Sequence, residues 1–332
     1  MRSNGKSKVL VVGPAWVGDM VIAEAATANL SDSGAAVHVL APAATAPIAK
    51  RMPSVTAVHE LRAGHGQLAL GERRSVARTL RREGFDQAIV LPNTLKSALV
   101  PWLARIPKRT GFRGEHRHGL LNDMRRLDPK GQPTMVDRFV SLSGGGYRVP
   151  RLTADPANLD RQYDALGLPK ADHVVALCPG AEFGPAKRWP VNHFAEVAAY
   201  CAKRGASVWL FGNEAEKAAC DSIASRVPES MNLAGRTDLA SAIDLLSGAD
   251  CVVANDSGLM HVAAALGRRV VALFGSTSPD FTPPLAVGAV ALREPQPCSP
   301  CLQRTCRFDH YKCLVDLAPA RVIKAIEPCM SS

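Results

Sequence analysis

The sequence lacks long hydrophobic runs and has few aromatic residues. No apolar stretch of the 332-residue chain approaches the roughly 20 residues of a membrane-spanning helix. The N-terminal sequence MRSNGKSKVLVVG is basic, but its apolar run is too short for a signal peptide. Aromatic residues form 5% of the chain, which is low for a module that stacks on nucleic-acid bases. We therefore expect a cytoplasmic protein with no transmembrane segment, and the low aromatic content argues against a nucleic-acid partner.

Two short motifs are also missing. Residues 13–20, GPAWVGDM, follow the apolar run KVLVV and have the glycine spacing of a phosphate-binding P-loop, but not its Lys-Ser/Thr pair. Asp19 stands where that lysine would be. An aspartate in a loop at the end of a strand is well placed to act as a general base. Capping of the following helix is the alternative. No Asp-x-Asp metal-binding motif occurs in the chain.

Negative charge is scarce in the first half of the chain. Residues 1–165 contain 24 Lys and Arg against 14 Asp and Glu, whereas residues 166–332 contain 16 of each. The entire net charge of +10 therefore lies in the first half. Such an asymmetry predicts that this half meets an anionic partner, which could be a nucleic acid, an anionic membrane surface or a phosphorylated substrate.

Short apolar runs alternate with helical patterns along the whole chain. This alternation predicts an α/β protein with two Rossmann-like, doubly wound parallel-sheet domains facing each other across a cleft. We place the domains at 1–160 and 161–332, with the polar, Pro-containing stretch 148–172 as the linker. The predicted strands are 8–13, 36–41, 56–60, 87–91, 173–178, 206–211, 250–254 and 269–274. The predicted helices are 19–31, 72–84, 94–105, 134–143, 191–204, 213–226, 239–247 and 258–267.

Two strand-to-loop junctions in the second half carry charged residues suited to a nucleotide. In CPGAEFGPAKRWPVNHFAEV (178–197), Lys187 and Arg188 can hold a diphosphate and neutralise a leaving group. In FGNEAEK (211–217), Glu214 can accept hydrogen bonds from ribose hydroxyls. The alternatives are a solvated basic loop for the first pair and a favourable helix-dipole position for the glutamate.

A third junction, ANDSGLMHVAAALG (254–267), combines a strand end with an apolar helix. Ser257 and Gly258 would let a phosphate approach the N–H groups at the start of that helix. Asp256 would accept hydrogen bonds from sugar hydroxyls, and His261 lies one turn into the helix. Helix capping by the aspartate or serine, and a structural histidine, are the alternatives.

The chain contains nine cysteines, and the role of four of them is open to more than one interpretation. Reduced cysteine in apolar patterns behaves as a small hydrophobe, which accounts for Cys178, Cys201, Cys220 and Cys251. Four thiols within 16 residues could bind a zinc ion or an iron–sulfur cluster. These are Cys298, Cys301, Cys306 and Cys313. Their spacing is not that of a standard zinc ribbon, so we favour a reduced loop or a labile disulfide, with a structural metal site as the alternative.

Long strings of residues resemble a known family. The strings are GPAWVGDM, LPNTLKSALVPWLARIPKRTGFRGEHRHGLLND (91–123), CPGAEFGPAKRWP and NDSGLMHVAAALG, followed by GSTSPDFTPP (275–284). Together they resemble glycosyltransferase family 9, whose members are inverting ADP-heptose:lipopolysaccharide heptosyltransferases of GT-B fold. The resemblance implies transfer of L-glycero-D-manno-heptose from ADP-heptose to the inner core of lipopolysaccharide in a Gram-negative bacterium. The implied acceptor is an anionic Kdo–lipid A anchor that already bears one heptose, at the cytoplasmic face of the inner membrane.

The resemblance also implies roles for single residues. Asp19 matches the family's general base, Lys187 its diphosphate-binding lysine, and Asp256-Ser257-Gly258 its donor-binding motif. The first domain would bind the acceptor and the second the nucleotide sugar, with no metal ion or other cofactor. The acceptor-binding candidates are Gly18, Arg73, Arg74, Lys96, Arg109, Arg113 and Arg117. Arginine suits the bidentate capture of Kdo carboxylates and core phosphates, and solvated helix faces are the alternative for these cations.

Three alternative functions remain open from the sequence. A family 9 enzyme of type I or III would use the same donor on another core position. A GT-B nucleotide-sugar epimerase would release free sugar and would not need a large basic face. A non-catalytic protein would bind a nucleotide or a nucleic acid through the basic half, with strongly salt-dependent affinity.

Overall fold

The computed structural model describes residues 6–63 and 66–330. The chain divides into two units, Met1–Thr153 and Ala154–Ser332, and each contains one six-stranded sheet. Every pair of neighbouring strands in these sheets is parallel. The predicted α/β class with two doubly wound parallel sheets is confirmed.

The first unit alternates strands with helices. Its strands are β1 (Lys8–Val12), β2 (Ala36–Pro42), β3 (Ala57–Leu61), β4 (Gln87–Val90), β5 (Lys108–Phe112) and β6 (Asp123–Arg125), in the order β3-β2-β1-β4-β5-β6. Its helices are α1 (Val17–Asp32), α2 (Ala46–Lys50), α3 (Leu70–Arg82), α4 (Leu95–Leu103) and α5 (Met135–Ser143). Helix α1 is buried around most of its circumference, since it packs against both α5 and the sheet.

The second unit repeats this plan. Its strands are β7 (Val174–Cys178), β8 (Ser207–Leu210), β9 (Met231–Asn232), β10 (Cys251–Asn255), β11 (Arg269–Phe274) and β12 (Val290–Arg293), in the order β12-β11-β10-β7-β8-β9. Its helices are α6 (Pro156–Leu166), α7 (Val191–Ala202), α8 (Lys217–Ala224), α9 (Leu239–Ser247), α10 (Gly258–Ala265), α11 (Lys312–Val315) and α12 (Pro319–Ile326). The central strands β7 and β10 are entirely buried, as expected for a parallel sheet covered on both faces.

The strand order reverses once in each sheet, between β1 and β4 and between β7 and β10. In doubly wound sheets, ligands bind outside the carboxyl ends of the strands at this switch point. In the second unit, Ala254 pairs with Cys178, so β7 and β10 end side by side. The residues that follow these two strands are therefore brought together although they are far apart in the sequence.

The stretch 148–172, predicted as the linker, includes the division between the two units and also contains helix α6. Asp155 caps this helix with its carboxylate, Pro156 occupies the first turn, and Gly167 ends it in the left-handed conformation. Its apolar stripe, Leu159, Tyr163 and Leu166, is short and only half-buried, and it lies in an otherwise polar sequence. The domain boundary expected after residue 160 falls within α6, whereas the two units meet at Thr153 and Ala154.

Within residues 6–63 and 66–330, no helix combines the length and the apolar character needed to cross a bilayer.

The buried His38 and the half-buried His59 form a pair between β2 and β3. His38 Nδ1 lies 3.0 Å from His59 Nε2, and the two rings stack with their centroids 5.2 Å apart. The edge of Phe85 packs against both rings. Burial lowers the pKa of each histidine from its usual 6.5 and Lys8 adds to this effect, although the carboxylate of Glu83 acts in the opposite direction.

This pair predicts acid sensitivity of the first unit. Both pKa values are lower in the folded chain, so unfolding takes up protons as the pH falls through 6.5, and stability is lost toward the lower folded pKa. Replacing both residues by glutamine should reduce the loss of stability between about pH 7.5 and pH 5.5, measured by urea unfolding. The exposed pair His116 and His118, replaced in the same way, is the control. Equal losses in the wild type and the His38/His59 variant would contradict this account.

Candidate functional site

The loop after β1 is held tightly at the first switch point. The Gly13 N–H donates to the Leu40 carbonyl at 2.9 Å, and the Leu91 N–H donates to the Val12 carbonyl at 3.2 Å. A Cβ atom on Gly13 would lie 2.4 Å from Cε of Met20, so a glycine lets the loop pass close to α1. The loop leads directly into α1, whose first turn therefore lies at the carboxyl ends of β1 and β4.

Asp19 is the third residue of α1 and is half-buried. It follows the helix start at Val17 and does not occupy the N-cap position, which belongs to Trp16. A carboxylate in the first turn is stabilised by the helix dipole. Gly18, also half-buried, precedes it at the same helix end. The carboxylate thus stands at the switch-point edge of the first unit.

Arg117 is fully buried behind the end of β4. Its guanidinium group donates to the carbonyl of Pro92 at 2.7 Å, to the carbonyl of Phe112 and to Oδ1 of Asn93 at 3.1 Å. Burial lowers the pKa of this arginine. The side chain therefore ties the loop after β5 to the loop after β4.

Arg73 and Arg109 also bind backbone carbonyl oxygens. Arg73 donates to Leu68 at 2.7 Å and to Lys96 at 3.0 Å, which ties the start of α3 to the start of α4. Arg109 donates to Leu120 and to Ile106, both at 2.6 Å. Among the other predicted acceptor cations, Arg74 and Arg113 are exposed and Lys96 is half-buried. The predicted basic set thus contains both loop-fastening and solvent-facing side chains.

In the second unit, the side-chain amide of Asn255 joins the ends of β7 and β10. Its Nδ2 donates to the carbonyl of Pro179 at 2.8 Å and approaches that of Gly180 at 3.4 Å. Its Oδ1 accepts from the Trp189 N–H at 3.1 Å. Asn255 is completely buried, so these bonds are shielded from water. They fix the loop between Pro179 and Trp189, which carries Lys187.

Lys187 forms an ion pair with Asp256 at this switch point. Its Nζ lies 2.6 Å from Oδ2 of Asp256, which also accepts from Oγ1 of Thr277 at 2.5 Å. The side chain of Lys187 is 15% exposed and that of Asp256 is 5% exposed. The ammonium group also lies 5.0 Å from the centre of the Phe183 ring. One shielded cation is therefore held at the carboxyl ends of β7, β10 and β11.

Helix α10 begins beside this ion pair. Ser257 is its N-cap residue in extended conformation and Gly258 its first residue. His261, one turn later, is buried, and burial together with Lys187 lowers its pKa to about 4 although Asp256 acts in the opposite direction. The imidazole is therefore neutral at pH 7, and the positive potential here comes from Lys187 and the helix N-terminus.

The remaining predicted donor residues lie around this centre. Arg188 is exposed, and its Nε donates to the Ala181 carbonyl at 3.2 Å. Glu214 is exposed and packs over Gly235, where an added Cβ would lie 2.3 Å from Oε2. The carboxylate against the β7 loop is instead that of Glu216, whose Oε1 would lie 2.0 Å from a Cβ on Gly180.

Asn255, Thr277 and Glu216 were not predicted as site residues. Asn255 and Thr277 occur inside the strings NDSG and GSTS, and Glu216 lies two residues after Glu214 in FGNEAEK. Their position directly after β-strands was the available signal. The sequence does not show which side chains turn toward the switch point, because their orientation depends on contacts between distant loops.

The cysteine-containing segment supports the Lys187 loop. The Ala186 N–H donates to the Arg304 carbonyl at 3.0 Å, and the Leu302 N–H donates to the Ser276 carbonyl at 2.7 Å. The Ser276 N–H in turn donates to the Ala186 carbonyl at 3.2 Å. The segment therefore acts as a backbone brace between the loops that follow β7 and β11.

The four clustered cysteines are half-buried thiols in this segment. Burial raises the pKa of Cys313 to about 11, and the neighbouring thiols of Cys298, Cys301 and Cys306 add to the effect. Backbone N–H groups lower the pKa of Cys306, chiefly that of Tyr311. Among the described residues, no group of three or more His, Cys, Asp or Glu side chains has an arrangement that would hold a metal ion.

Two doubly wound units, with a lysine and a helix N-terminus at one switch point, have the architecture of GT-B glycosyltransferases. Residues 73–312 match the profile of glycosyltransferase family 9 (heptosyltransferase). The chain is 40% identical to lipopolysaccharide heptosyltransferase 2 of Salmonella typhimurium, covering 98% of this chain and 99% of the relative. It is also 40% identical to lipopolysaccharide heptosyltransferase 2 of Escherichia coli, covering 96% and 97%.

The solved structure of E. coli ADP-heptose lps heptosyltransferase II superposes with a TM-score of 0.87 at 38% identity, covering 97% of this chain and 98% of that one. The chain belongs to glycosyltransferase family 9. The predicted family, enzyme class and GT-B fold are thereby confirmed.

Replacing Asn255 should loosen the second unit at the switch point. Asn255→Asp turns a buried donor into a carboxylate facing the carbonyls of Pro179 and Gly180, and should lower the free energy of unfolding by about 3 kcal/mol. Asn255→Ala should cost about 2 kcal/mol, since it leaves the same backbone groups without partners. Urea unfolding followed by the fluorescence of the buried tryptophans measures both effects. Asn213→Asp is the matched control, because aspartate caps a helix as well as asparagine.

Proposed function

We propose that this protein transfers L-glycero-D-manno-heptose from ADP-heptose to the heptosyl-Kdo2-lipid A inner core of lipopolysaccharide. The observation that carries the proposal is the 40% identity, over nearly the whole length of both chains, to two enzymes named lipopolysaccharide heptosyltransferase 2. The half-buried Lys187 at a switch point of the kind that binds nucleotides provides independent chemical support.

The donor site is assigned to the second unit. Lys187 leaves its pairing with Asp256 in part to bind the diphosphate, and the N–H groups beside Ser257 and Gly258 bind the remaining phosphate oxygens. Asp256, held by Thr277, then accepts hydrogen bonds from sugar hydroxyls. Glu214 accepts from the ribose, and Arg188 adds positive charge at the rim. His261 contributes a neutral imidazole beneath the site.

The acceptor site is assigned to the first unit. Residues 1–153 contain 23 Lys and Arg against 11 Asp and Glu, which suits an acceptor with Kdo carboxylates and phosphates. Arg74, Lys96 and Arg113 are assigned to direct contact, and Gly18 lets the acceptor sugar approach α1. Three further arginines support this site indirectly, because their guanidinium groups hold its loops in place. They are Arg73, Arg109 and Arg117.

The reaction is a single displacement with inversion. Asp19 takes the proton of the acceptor hydroxyl as its oxygen forms a bond to the anomeric carbon of the heptose. The bond from that carbon to the diphosphate oxygen breaks, and ADP leaves with the bonding electrons. Lys187 and the α10 N-terminus stabilise the charge on ADP, so no metal ion or other cofactor is required. The enzyme works at the cytoplasmic face of the inner membrane, as a peripheral protein.

The decisive experiment is a transfer assay in EDTA with purified heptosyl-Kdo2-lipid A. ADP-heptose, UDP-sugars and GDP-sugars are offered in parallel, and products are identified by mass. A gain of one heptose from ADP-heptose alone is the expected result. Transfer only to Kdo2-lipid A would identify a type I enzyme, and release of free sugar would identify an epimerase. No product with any donor would overturn the proposal.

Asp19→Asn should reduce turnover by roughly 10²–10⁴-fold, because the amide cannot accept the acceptor proton. The melting temperature and ADP affinity should stay close to those of the wild type. Asp32→Asn, at the other end of the same helix, is the matched control and should retain normal turnover. Near-normal activity of Asp19→Asn would remove this residue from the mechanism.

A further inference from the structure

Helix α4 carries an apolar stripe on its solvent side. Leu95, Leu99 and Trp102 occur at positions i, i+4 and i+7 of this helix, so they lie along one face. Leu95 and Trp102 are 38% and 45% exposed, and Leu99 is partly exposed. The opposite face, with Ser97, Val100 and Pro101, is buried. Helix α4 therefore has apolar residues both toward the core and toward solvent.

Helix α3 carries a basic stripe on its solvent side. Arg74, Arg78 and Arg81 have the same i, i+4, i+7 spacing, and all three are exposed. The buried face of this helix contains Ala77 and Leu80. Like charges at this spacing repel one another, so the stripe costs stability unless an anionic partner meets it.

The two stripes face the same side of the first unit. Ala77 and Leu80 of α3 lie in the same core cluster as Ala98 and Val100 of α4, so both helices cover one face of the sheet. The helices pack against each other, and Arg73 bonds the start of one to the start of the other. The outward faces are therefore adjacent, with the cations along one helix and the apolar side chains along its neighbour.

The apolar part continues beyond α4. Leu68 and Leu70, before and at the start of α3, are 47% and 42% exposed. The Leu68 carbonyl accepts from Arg73, which also bonds to Lys96, so these leucines lie near the beginning of α4. We call this combined face the α3–α4 surface: Leu68, Leu70, Arg74, Arg78, Arg81, Leu95, Leu99 and Trp102.

We propose that the α3–α4 surface docks on an anionic lipid bilayer, with Trp102 and the leucines entering the headgroup boundary and the arginines binding the lipid headgroups. Tryptophan prefers this boundary because its ring is apolar and its N–H is polar. Each Lys or Arg near an anionic leaflet adds to the binding. This inference rests on the proposed function in one respect: docking would bring the first unit to a lipid-anchored acceptor.

The chemistry of the surface favours lipid over protein or nucleic acid. Helix α4 contains no acidic residue, and the one acidic residue of α3 is Glu72, in its first turn. The side chains of the surface thus carry one sign of charge, and the nearby carboxylates of Glu72 and Glu115 accept hydrogen bonds from the backbone N–H groups of Arg62 and Leu95. A nucleic acid would meet the arginines but would leave the exposed leucines in water.

The first test measures flotation with vesicles of phosphatidylcholine containing about 30% phosphatidylglycerol, with no substrate present. Leu99→Gln combined with Trp102→Glu should lower the bound fraction about tenfold or more, by removing the inserting side chains. Tyr147→Glu is the control, because Tyr147 is an exposed aromatic residue of the same unit and lies outside the surface. Unchanged flotation of the double variant would overturn the proposal.

The second test addresses the arginines. Arg78→Glu combined with Arg81→Glu should weaken binding about tenfold or more, and about 0.5 M NaCl should weaken wild-type binding by screening the same contacts. The exposed arginines of the second unit, changed as Arg161→Glu with Arg226→Glu, are the control for overall charge. Equal losses in both charge variants would assign the effect to net charge and overturn the α3–α4 surface as the docking site.

A transfer assay separates this inference from the proposed function. On vesicle-embedded acceptor, the Leu99/Trp102 variant should be slower than the wild type, whereas on a deacylated, water-soluble acceptor the two should be equal. If the wild type floats with vesicles as predicted but transfers no heptose, the docking surface stands and the proposed transferase activity is rejected. If the wild type transfers heptose but both surface variants float normally, the transferase activity stands and the docking surface is rejected.

Discussion

The buried amide of Asn255 is the interaction on which the second unit's site depends. Parallel pairing brings the ends of β7 and β10 together, but it does not determine the path of the loops that follow. The amide does so by bonding to both Pro179 and Trp189. Because the loop is fixed, the ammonium group of Lys187 lies against the carboxylate of Asp256. The geometry of the charged pair thus follows from a neutral group beneath it, and preorganisation of this kind is what electrostatic stabilisation of a leaving group requires.

Much of the fold could be predicted because the central strands are continuous apolar runs. KVLVV and CVVA are buried on both faces, so their sequences carry the signal without help from neighbours. Strand β5, KRTGF, was not predicted, because two cations and a glycine conceal a strand that is stabilised by pairing with β4. Helix α6 was missed for a related reason, since its one apolar stripe is only half-buried within a polar, Pro-containing sequence. Pattern reasoning fails where an element depends on its surroundings rather than on its own periodicity.

The candidate site, like the fold, has one part that the sequence predicts and another that depends on distant contacts. Lys187, Asp256 and His261 could be expected at one edge, because the residues that follow neighbouring parallel strands converge. The bonds of Asn255 span 66 and 76 residues, and no local pattern reveals them. The basic residues of the first unit show the limit of composition most clearly. The sequence does not distinguish three of these arginines, yet their surroundings differ. Arg73 joins two helices, Arg78 faces solvent and Arg117 is entirely buried.

The brace formed by residues 298–317 has a consequence for the order in which the protein is made. The indole N–H of Trp189 donates to the carbonyl of Leu317, 128 residues later, and Ala186 bonds to Arg304. During synthesis, the Lys187 loop leaves the ribosome well before the segment that holds it, so the loop is at first without these two bonds. Lys187 therefore gains this backbone support only after residues 298–317 have been made, later than the strand that precedes its loop.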